Sequence, residues 1–316
     1  MTVLDSMEAR IRAGEVIIID GGTGTEIPRR GKPLCPQTWS GRANLEYPDL
    51  IREIHEDYIR SGAEVIATNT FWTSRTGLKM GDLDDKTIEI NQLSVRLAIE
   101  ARNNVKSDKD ILIAGSMSTF FPMGKPKVIP EYEDALASYR EQAQILAESG
   151  VDFFALEMFV RTLDARAAVQ AAGEIGLPIW IGYSIQSDGE DLYLGTDEGR
   201  HGNETIKDAV EAVESAHGIS AFFIMHSDVK DTETGLRILR EYTSLPIGAY
   251  AHSIDTEAAR PLGFLGNQGE RIIDRSVDEY LGYAKDWVGA GATIIGGCCG
   301  VTPAHIESLN NGLRIS

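Results

Sequence analysis

Cys298 and Cys299 sit side by side in Gly296-Gly297-Cys298-Cys299-Gly300, and the chain has three cysteines in all. Neighbouring cysteines pair with each other only through a strained ring. With Cys35 as the one thiol left over, no disulfide framework is available. Two adjacent thiols are therefore read as ligands of one metal ion, and thiolate donors favour Zn²⁺ among common cytoplasmic metals. Successive residues of a regular strand point to opposite faces. Both cysteines reach one ion only if the backbone turns sharply, which the flanking glycines permit. A catalytic zinc keeps about three protein ligands and one open position. His226 and His252 are the candidates for the third place, with Cys35 a further one. We assign it to His226, which directly follows the apolar run 221–225 and so ends a well-defined strand. A neutral imidazole is an ordinary zinc ligand.

The second constellation begins at Asp20-Gly21-Gly22-Thr23. Two glycines after a strand expose backbone N–H groups that can hold a carboxylate or a phosphate. Asp20 and Glu157 are carboxylates at two strand ends, suited to grip an ammonium group. Amides for a carboxylate together with acids for an ammonium describe a site for an α-amino acid. Asn69 and Ser116 end two further runs and join the candidate substrate contacts, as does His252.

These residues share a place because of the elements that carry them. Eight short runs rich in Val, Ile and Phe recur at 16–20, 64–69, 111–115, 152–157, 178–184, 220–226, 246–251 and 293–298. Each is nearly continuous in apolar residues, as parallel strands buried on both faces are. Between them lie stretches with apolar residues at three- and four-residue spacing, such as Leu136, Tyr139, Ala143 and Leu146, or Val277, Tyr280, Ala284 and Trp287. Ser276 and Glu279 form a capping-box pattern at the head of the latter. Gly62, Gly150, Gly176 and Gly291 stand where helices end. The pattern predicts a single (β/α)8 barrel over residues 1–316, preferred to an open sheet because the first turn does not complete a dinucleotide fingerprint. In such a barrel the polar strand ends share one mouth. The stretches 30–48, 118–130, 186–204 and 253–275 are read as long loops crowding that mouth.

The net charge of −18 repels phosphate backbones, which excludes nucleic acid and anionic membrane as natural partners. No run of 18 apolar residues predicts a membrane span. The first residues lack the basic start and apolar core of a secretory signal, so the expected compartment is the cytoplasm. The partners expected are small molecules, and assembly into a homo-oligomer is left open.

Taken together, these residues resemble the homocysteine S-methyltransferase family. The resemblance is carried by DGGTGTEI at 20–27, GAEVIATNTF at 62–71, AGS at 114–116, AESGVDFFALE at 147–157 and GATIIGGCCGVTPAHI at 291–306. It implies a (β/α)8 barrel, a bound zinc held by Cys298 and Cys299, and an amino acid held by Asp20, Gly21, Gly22 and Glu157. It further implies an enzyme that methylates the thiol of homocysteine to methionine, from a sulfonium or quaternary ammonium donor, with no corrinoid. The sequence departs from the family pattern at four places. The family's third zinc cysteine, within an Asn-Cys pair, is replaced by Met225-His226. The usual Tyr-Pro-Asn is Tyr250-Ala251-His252. Met117-Ser118-Thr119-Phe120-Phe121 carries no Gly-Pro, and Glu-Thr is Glu157-Met158.

The expected chemistry is attack by an activated thiolate on a methyl carbon held in line. Phe71, Trp72, Phe120, Phe121 and Tyr250 are available to face a cationic donor. Two other functions use the same residues: a zinc lyase or hydrolase with His252 as acid or base, and a non-catalytic amino-acid-binding homologue.

Overall fold

The computed structural model describes residues 2–120, 130–189, 191–196, 199–200, 202–254 and 274–314. In chain order the strands are β1 Ile17–Ile18, β2 Val65–Ala67, β3 Leu112–Ser118, β4 Phe153–Phe159, β5 Ile179–Tyr183, β6 Ile185–Asp188, β7 Asp191–Thr196, β8 Gly199–Arg200, β9 Ile219–Met225, β10 Ile247–Tyr250 and β11 Ala292–Ile295. Eight of them, one from each apolar run, form a parallel sheet in the order β1-β11-β10-β9-β5-β4-β3-β2. A parallel bridge between Ile19 and Val65 joins the first strand to the second and closes the circle. The fold is a single (β/α)8 barrel, as the alternating pattern predicts.

Each strand is buried on both sides, and successive residues serve different cores. Ile17, Val65, Leu112, Phe153, Trp180, Phe223 and Ile294 fill the barrel interior. Their neighbours Ile18, Ile66, Ile113, Phe154, Ile181, Phe222 and Ile295 pack under the helices. The two-residue repeat of the strand thus sorts one continuous apolar run into two cores. Inside the barrel, Phe153, Trp180, Phe223 and Tyr250 touch in series, with ring centroids 4.3, 5.4 and 5.2 Å apart.

The helices follow from the spacing read in the sequence. Tyr132–Ser149 buries Leu136, Tyr139, Ala143 and Leu146, and Val277–Gly289 buries Tyr280, Ala284 and Trp287. The Ser276–Glu279 capping box is formed. Gly62, Gly150, Gly176 and Gly291 have φ of 105°, 98°, 88° and 97°, the left-handed conformation that lets a helix end and the next strand begin.

Three features differ from the sequence reading. The stretch 186–204, read as a loop, contains an antiparallel sheet of β6, β7 and β8. Its short strands lie beyond the eight-unit repeat and were absorbed into a long connection. The third barrel strand runs three residues past its expected end at Gly115, because Met117 and its neighbours are buried. The helix Val3–Arg12, unread in the sequence, sends Met7 and Ile11 into the interior core. It plugs the end of the barrel opposite the polar strand ends. There Glu64, fully buried, pairs with Arg10 at 2.7 Å and with Arg314. The expected loops at 118–130 and 253–275 fall partly outside the described residues, as does Phe121.

Candidate active site

The last barrel strand stops at Ile295, and the chain then turns. The Val301 amide donates to the Cys298 carbonyl at 3.1 Å, and Gly300 within that turn has φ 83°. A glycine at the third place of a four-residue turn is the signature of type II. This turn brings two adjacent side chains to one side, which a continuing strand would not. The Cys298 and Cys299 sulfurs lie 3.9 Å apart.

His226 reaches the same point from the end of β9. Its Nδ1 is 3.4 Å from the Cys298 sulfur and 3.9 Å from the Cys299 sulfur. A tetrahedral ion with bonds of about 2.3 Å to sulfur and about 2.05 Å to nitrogen spaces its ligands about 3.8 Å (S–S) and about 3.6 Å (S–N) apart. The three measured edges fit those spacings. The neighbouring Cys299 thiol, and then burial, push Cys298 well above the ordinary thiol range, so it becomes a thiolate only with a cation beside it. The donor set thus has the size and chemistry to hold a metal ion, with His226, Cys298 and Cys299 as its ligands.

The acids lie in the same cavity. Asp20 is buried and accepts the Ala67 amide at 3.0 Å. Burial holds its carboxyl well above the usual carboxylate range, and Glu157 across the cavity adds to the rise. Glu157 accepts the Ser116 hydroxyl, and burial pushes it up to about 7. Among the described residues, no Lys or Arg lines this cavity. A buried and a half-buried acid with no Lys or Arg beside them can accept a positive group from outside.

The cavity measures about 130 Å³. That is roughly ten times what one water needs, so it takes a small organic molecule. It is lined by Asp20, Gly21, Gly22, Thr23, Asn69, Ser116, Glu157, His226, Cys298 and Cys299, and so gathers nearly all the sequence-named residues. His252 is the exception. It is fully buried behind the cavity wall, with its ring 5.7 Å from that of His226 and its Nδ1 at 3.2 Å from the Ile254 carbonyl. The strand that should have carried it to the mouth ends at Tyr250. Cys35 is also apart, its sulfur 3.3 Å from Oε1 of Gln37.

Two of the sequence-named positions also serve the scaffold. Of the amides in Asp20-Gly21-Gly22-Thr23 that are expected to face an anion, that of Gly22 donates to the Val301 carbonyl and that of Thr23 to the Gly21 carbonyl. What requires glycine is close approach. A Cβ on Gly21 would stand 2.5 Å from the Val301 oxygen, and one on Gly22 2.5 Å from the Cys298 oxygen. The Asn69 side chain likewise serves the scaffold, donating to the Ser40 carbonyl and to Asn44 Oδ1 at 3.1 and 2.9 Å.

Of the aromatic residues named from the sequence, Phe71 and Tyr250 line the cavity, while Trp72 and Phe120 are buried elsewhere in the core. Trp39, Trp180, Met158 and Met225 also line the cavity and were missed. Trp180 and Met225 were legible in principle, since alternation along their own strands sets Trp180 opposite to Ile179 and Ile181, and Met225 on the side of Phe223. Trp39 and Met158 were not. Both have left-handed backbones, with φ of 51° and 59°, and His226 has φ 45°. Three of the four non-glycine residues with positive φ among those described therefore border this one cavity. Backbone strain of this kind concentrates where function over-determines geometry.

Comparisons with known proteins give the family and support the fold. The profile of the homocysteine S-methyltransferase family matches residues 17–313. The chain is 28% identical to a selenocysteine methyltransferase of Astragalus bisulcatus, over 94% of this chain and 92% of that protein. It is 25% identical to homocysteine S-methyltransferase 2 of Arabidopsis thaliana, over 96% and 94%. Among solved structures it is similar to the homocysteine methyltransferase MmuM from Escherichia coli. The metallated form gives a TM-score of 0.75 at 24% identity, covering 94% of this chain and 96% of that one. The oxidized form gives 0.74 at 25% identity, covering 94% and 95%.

Proposed function

From the premise that the chain belongs to the homocysteine S-methyltransferase family, we propose that it moves a methyl group from a sulfonium or quaternary ammonium donor to the thiol of L-homocysteine, giving methionine. The observation that carries this reading is a pair of thiols and an imidazole at metal-ligand spacing in one cavity with two cation-seeking acids.

In this proposal His226, Cys298 and Cys299 hold Zn²⁺. Bound there, zinc supplies a Lewis acid that lets an acceptor thiol, with a pKa of about 8.5 when free, lose its proton near neutral pH. Asp20 and Glu157 grip the acceptor's ammonium group and so aim its sulfur. Ser116 fixes the Glu157 carboxylate through the hydrogen bond already formed. Trp39, Phe71, Trp180 and Tyr250 line the cavity, where their ring faces are available to the cationic donor and their bulk excludes water. Transfer is an in-line displacement. The acceptor sulfur bonds to the methyl carbon while the methyl bond to the donor's positive sulfur or nitrogen breaks, and its electron pair leaves with the donor.

His226 in place of a third thiolate removes one negative charge from the ligand set. The acceptor sulfur is then less electron-rich, and a sulfonium, the more reactive methyl source, suits it best. The proposed setting is methionine biosynthesis in the cytoplasm, where reducing conditions keep Cys298 and Cys299 as thiols. No helix among the described residues is long and apolar enough to cross a membrane. A lyase or hydrolase with His252 as its acid or base is disfavoured, since that ring is buried off the cavity.

The test is methyl transfer to homocysteine from an S-methyl sulfonium donor and from betaine, alongside zinc analysis. Stoichiometric zinc and zinc-dependent turnover are expected. Full activity in metal-free protein would refute the metal's role, and turnover confined to thiol-free substrates would refute the transferase.

A further inference from the structure

His226 succeeds Met225, and Met225 already faces the cavity. On a regular strand the next side chain would point away, under the helices. It faces the cavity as well because its φ of 45° bends the chain there. The left-handed region is strained for any residue with a side chain, and the strain persists where the surroundings over-determine it. Something must hold it.

Two fully buried hydroxyls lie at this bend. Ser184 follows β5, and its Oγ donates to the His226 carbonyl at 2.7 Å. Ser227 Oγ donates to the Met225 carbonyl at 2.8 Å and accepts the Ile185 amide at 3.0 Å. Ser184 is itself fixed, its amide donating to the Phe159 carbonyl and its carbonyl accepting from Gly195. The His226 amide donates to the Tyr250 carbonyl at 3.2 Å. The peptide groups on both sides of His226 are thus tied by side-chain hydroxyls to the neighbouring strand.

We propose that Ser184 and Ser227 are positioning residues for His226: a two-hydroxyl clamp that holds its left-handed turn and so aims Nδ1 at the Cys298 and Cys299 sulfurs. Neither serine touches the ligand atoms; each acts through the backbone. The proposal rests on the reading of His226, Cys298 and Cys299 as a metal site. It adds that this imidazole ligand is built by the hairpin insertion that starts at β6, since Ser184 and Ile185 are the residues that enter it.

The experiment is a titration of the full-length apoprotein with Co²⁺, read by the sulfur-to-metal charge-transfer band and the visible bands of tetrahedral Co²⁺. Wild type is expected to show both. Ser184→Ala is expected to bind Co²⁺ at least about ten-fold more weakly. Its tetrahedral bands should weaken while the thiolate band persists, because the imidazole is lost and the sulfurs stay. Ser184→Thr, which keeps the hydroxyl, should recover the wild-type spectrum. Ser227→Ala provides the same reading from the other hydroxyl should Ser184→Ala fail to fold. A merely structural role would lower the melting temperature of the apoprotein and leave the Co²⁺ spectrum of the folded fraction unchanged. Such an unchanged spectrum and affinity overturns the clamp alone. No charge-transfer band in wild type overturns the metal site, and the clamp with it.

Discussion

The two ends of the barrel treat buried acid in opposite ways. At the plugged end, Glu64 is fully buried and meets two guanidinium groups, those of Arg10 and Arg314. At the open end, Asp20 is buried and Glu157 half-buried, and among the described residues no Lys or Arg lines the cavity they face. On the proposed reading their positive partner is the ligand's ammonium group. Taking a charge out of water costs several kcal/mol unless it is compensated. The plugged end is compensated by the chain itself and ties its first helix to its last residues. The open end instead meets the cost by raising both carboxyls, Glu157 to about 7, and on the proposed reading the difference separates an acid kept for stability from acids kept for binding.

Substitutions at the open end should therefore cost activity without cost in stability, and at the plugged end the reverse. The largest effect is expected from replacing Cys298 and Cys299 together by Ala. Methyl transfer should fall on the order of 10⁴-fold and bound metal should vanish, while the apoprotein's denaturant midpoint moves by less than about 1 kcal/mol equivalent, since two small side chains bordering a cavity are lost. A comparable loss of apoprotein stability would break the contrast.

Glu157→Gln comes next. The KM for the amino-acid acceptor should rise by about 100-fold, the scale of a lost charge-assisted hydrogen bond. Its effect on melting depends on pH with a fixed sign. Burial raises Glu157 from its ordinary 4.5 to about 7. The folded protein holds this proton more tightly than the unfolded chain, so the stability it lends is present below about 4.5 and lost as pH climbs through 7. Without ligand, the Gln variant should melt about 2–4 °C higher than wild type at pH 8 and nearly level with it at pH 5. In wild type, acceptor affinity should fall as pH drops below 7, where the carboxylate takes up its proton. A Gln variant that melts lower than wild type at pH 8 would show that the Glu157 charge is already compensated within the chain.

The smallest effect is expected from Glu64→Gln. Removing Glu64 takes a partner from Arg314 and one of two partners from Arg10, which keeps its pair with Glu15; fully buried pairs lose roughly 3–5 kcal/mol when one partner is removed. Arg10 and Arg314 retain 31% and 29% of their side-chain exposure, and water screens part of the loss. About 2 kcal/mol is expected by urea unfolding, with kcat/KM within two-fold of wild type. A larger fall in kcat/KM would mean that the two ends communicate.

The scaffold was legible because its signals are local and repeated. Eight apolar runs, helical spacing at Leu136 to Leu146 and glycines at helix ends each state one element, and the register of a barrel follows from their order. Cys298, Cys299, Asp20 and Glu157 were legible because polar residues ending apolar strands have no packing reason to be there. What escaped were positions set by single backbone reversals. His226 could be named as a candidate ligand, but its distinction from His252 depends on a left-handed bend whose position no local pattern in the sequence marks. Trp39 and Met158 enter the cavity by bends of the same kind. The β6–β8 hairpin escaped because its strands interrupt a repeat that otherwise accounts for the chain.

The close seating of Gly21 and Gly22 against the carbonyls of Val301 and Cys298 has a consequence for how the protein is made. The amine seat begins at residue 20 and the thiols stand at 298 and 299, on opposite sides of the seam where β1 meets β11. The chain from residue 20 through residue 299 must therefore be synthesised before either half of the site has its counterpart. Fragments that stop short of the seam have neither the thiol pair nor the carbonyls against which Gly21 and Gly22 are seated. On the proposed reading, a metal held by His226, Cys298 and Cys299 would load only onto a closed barrel.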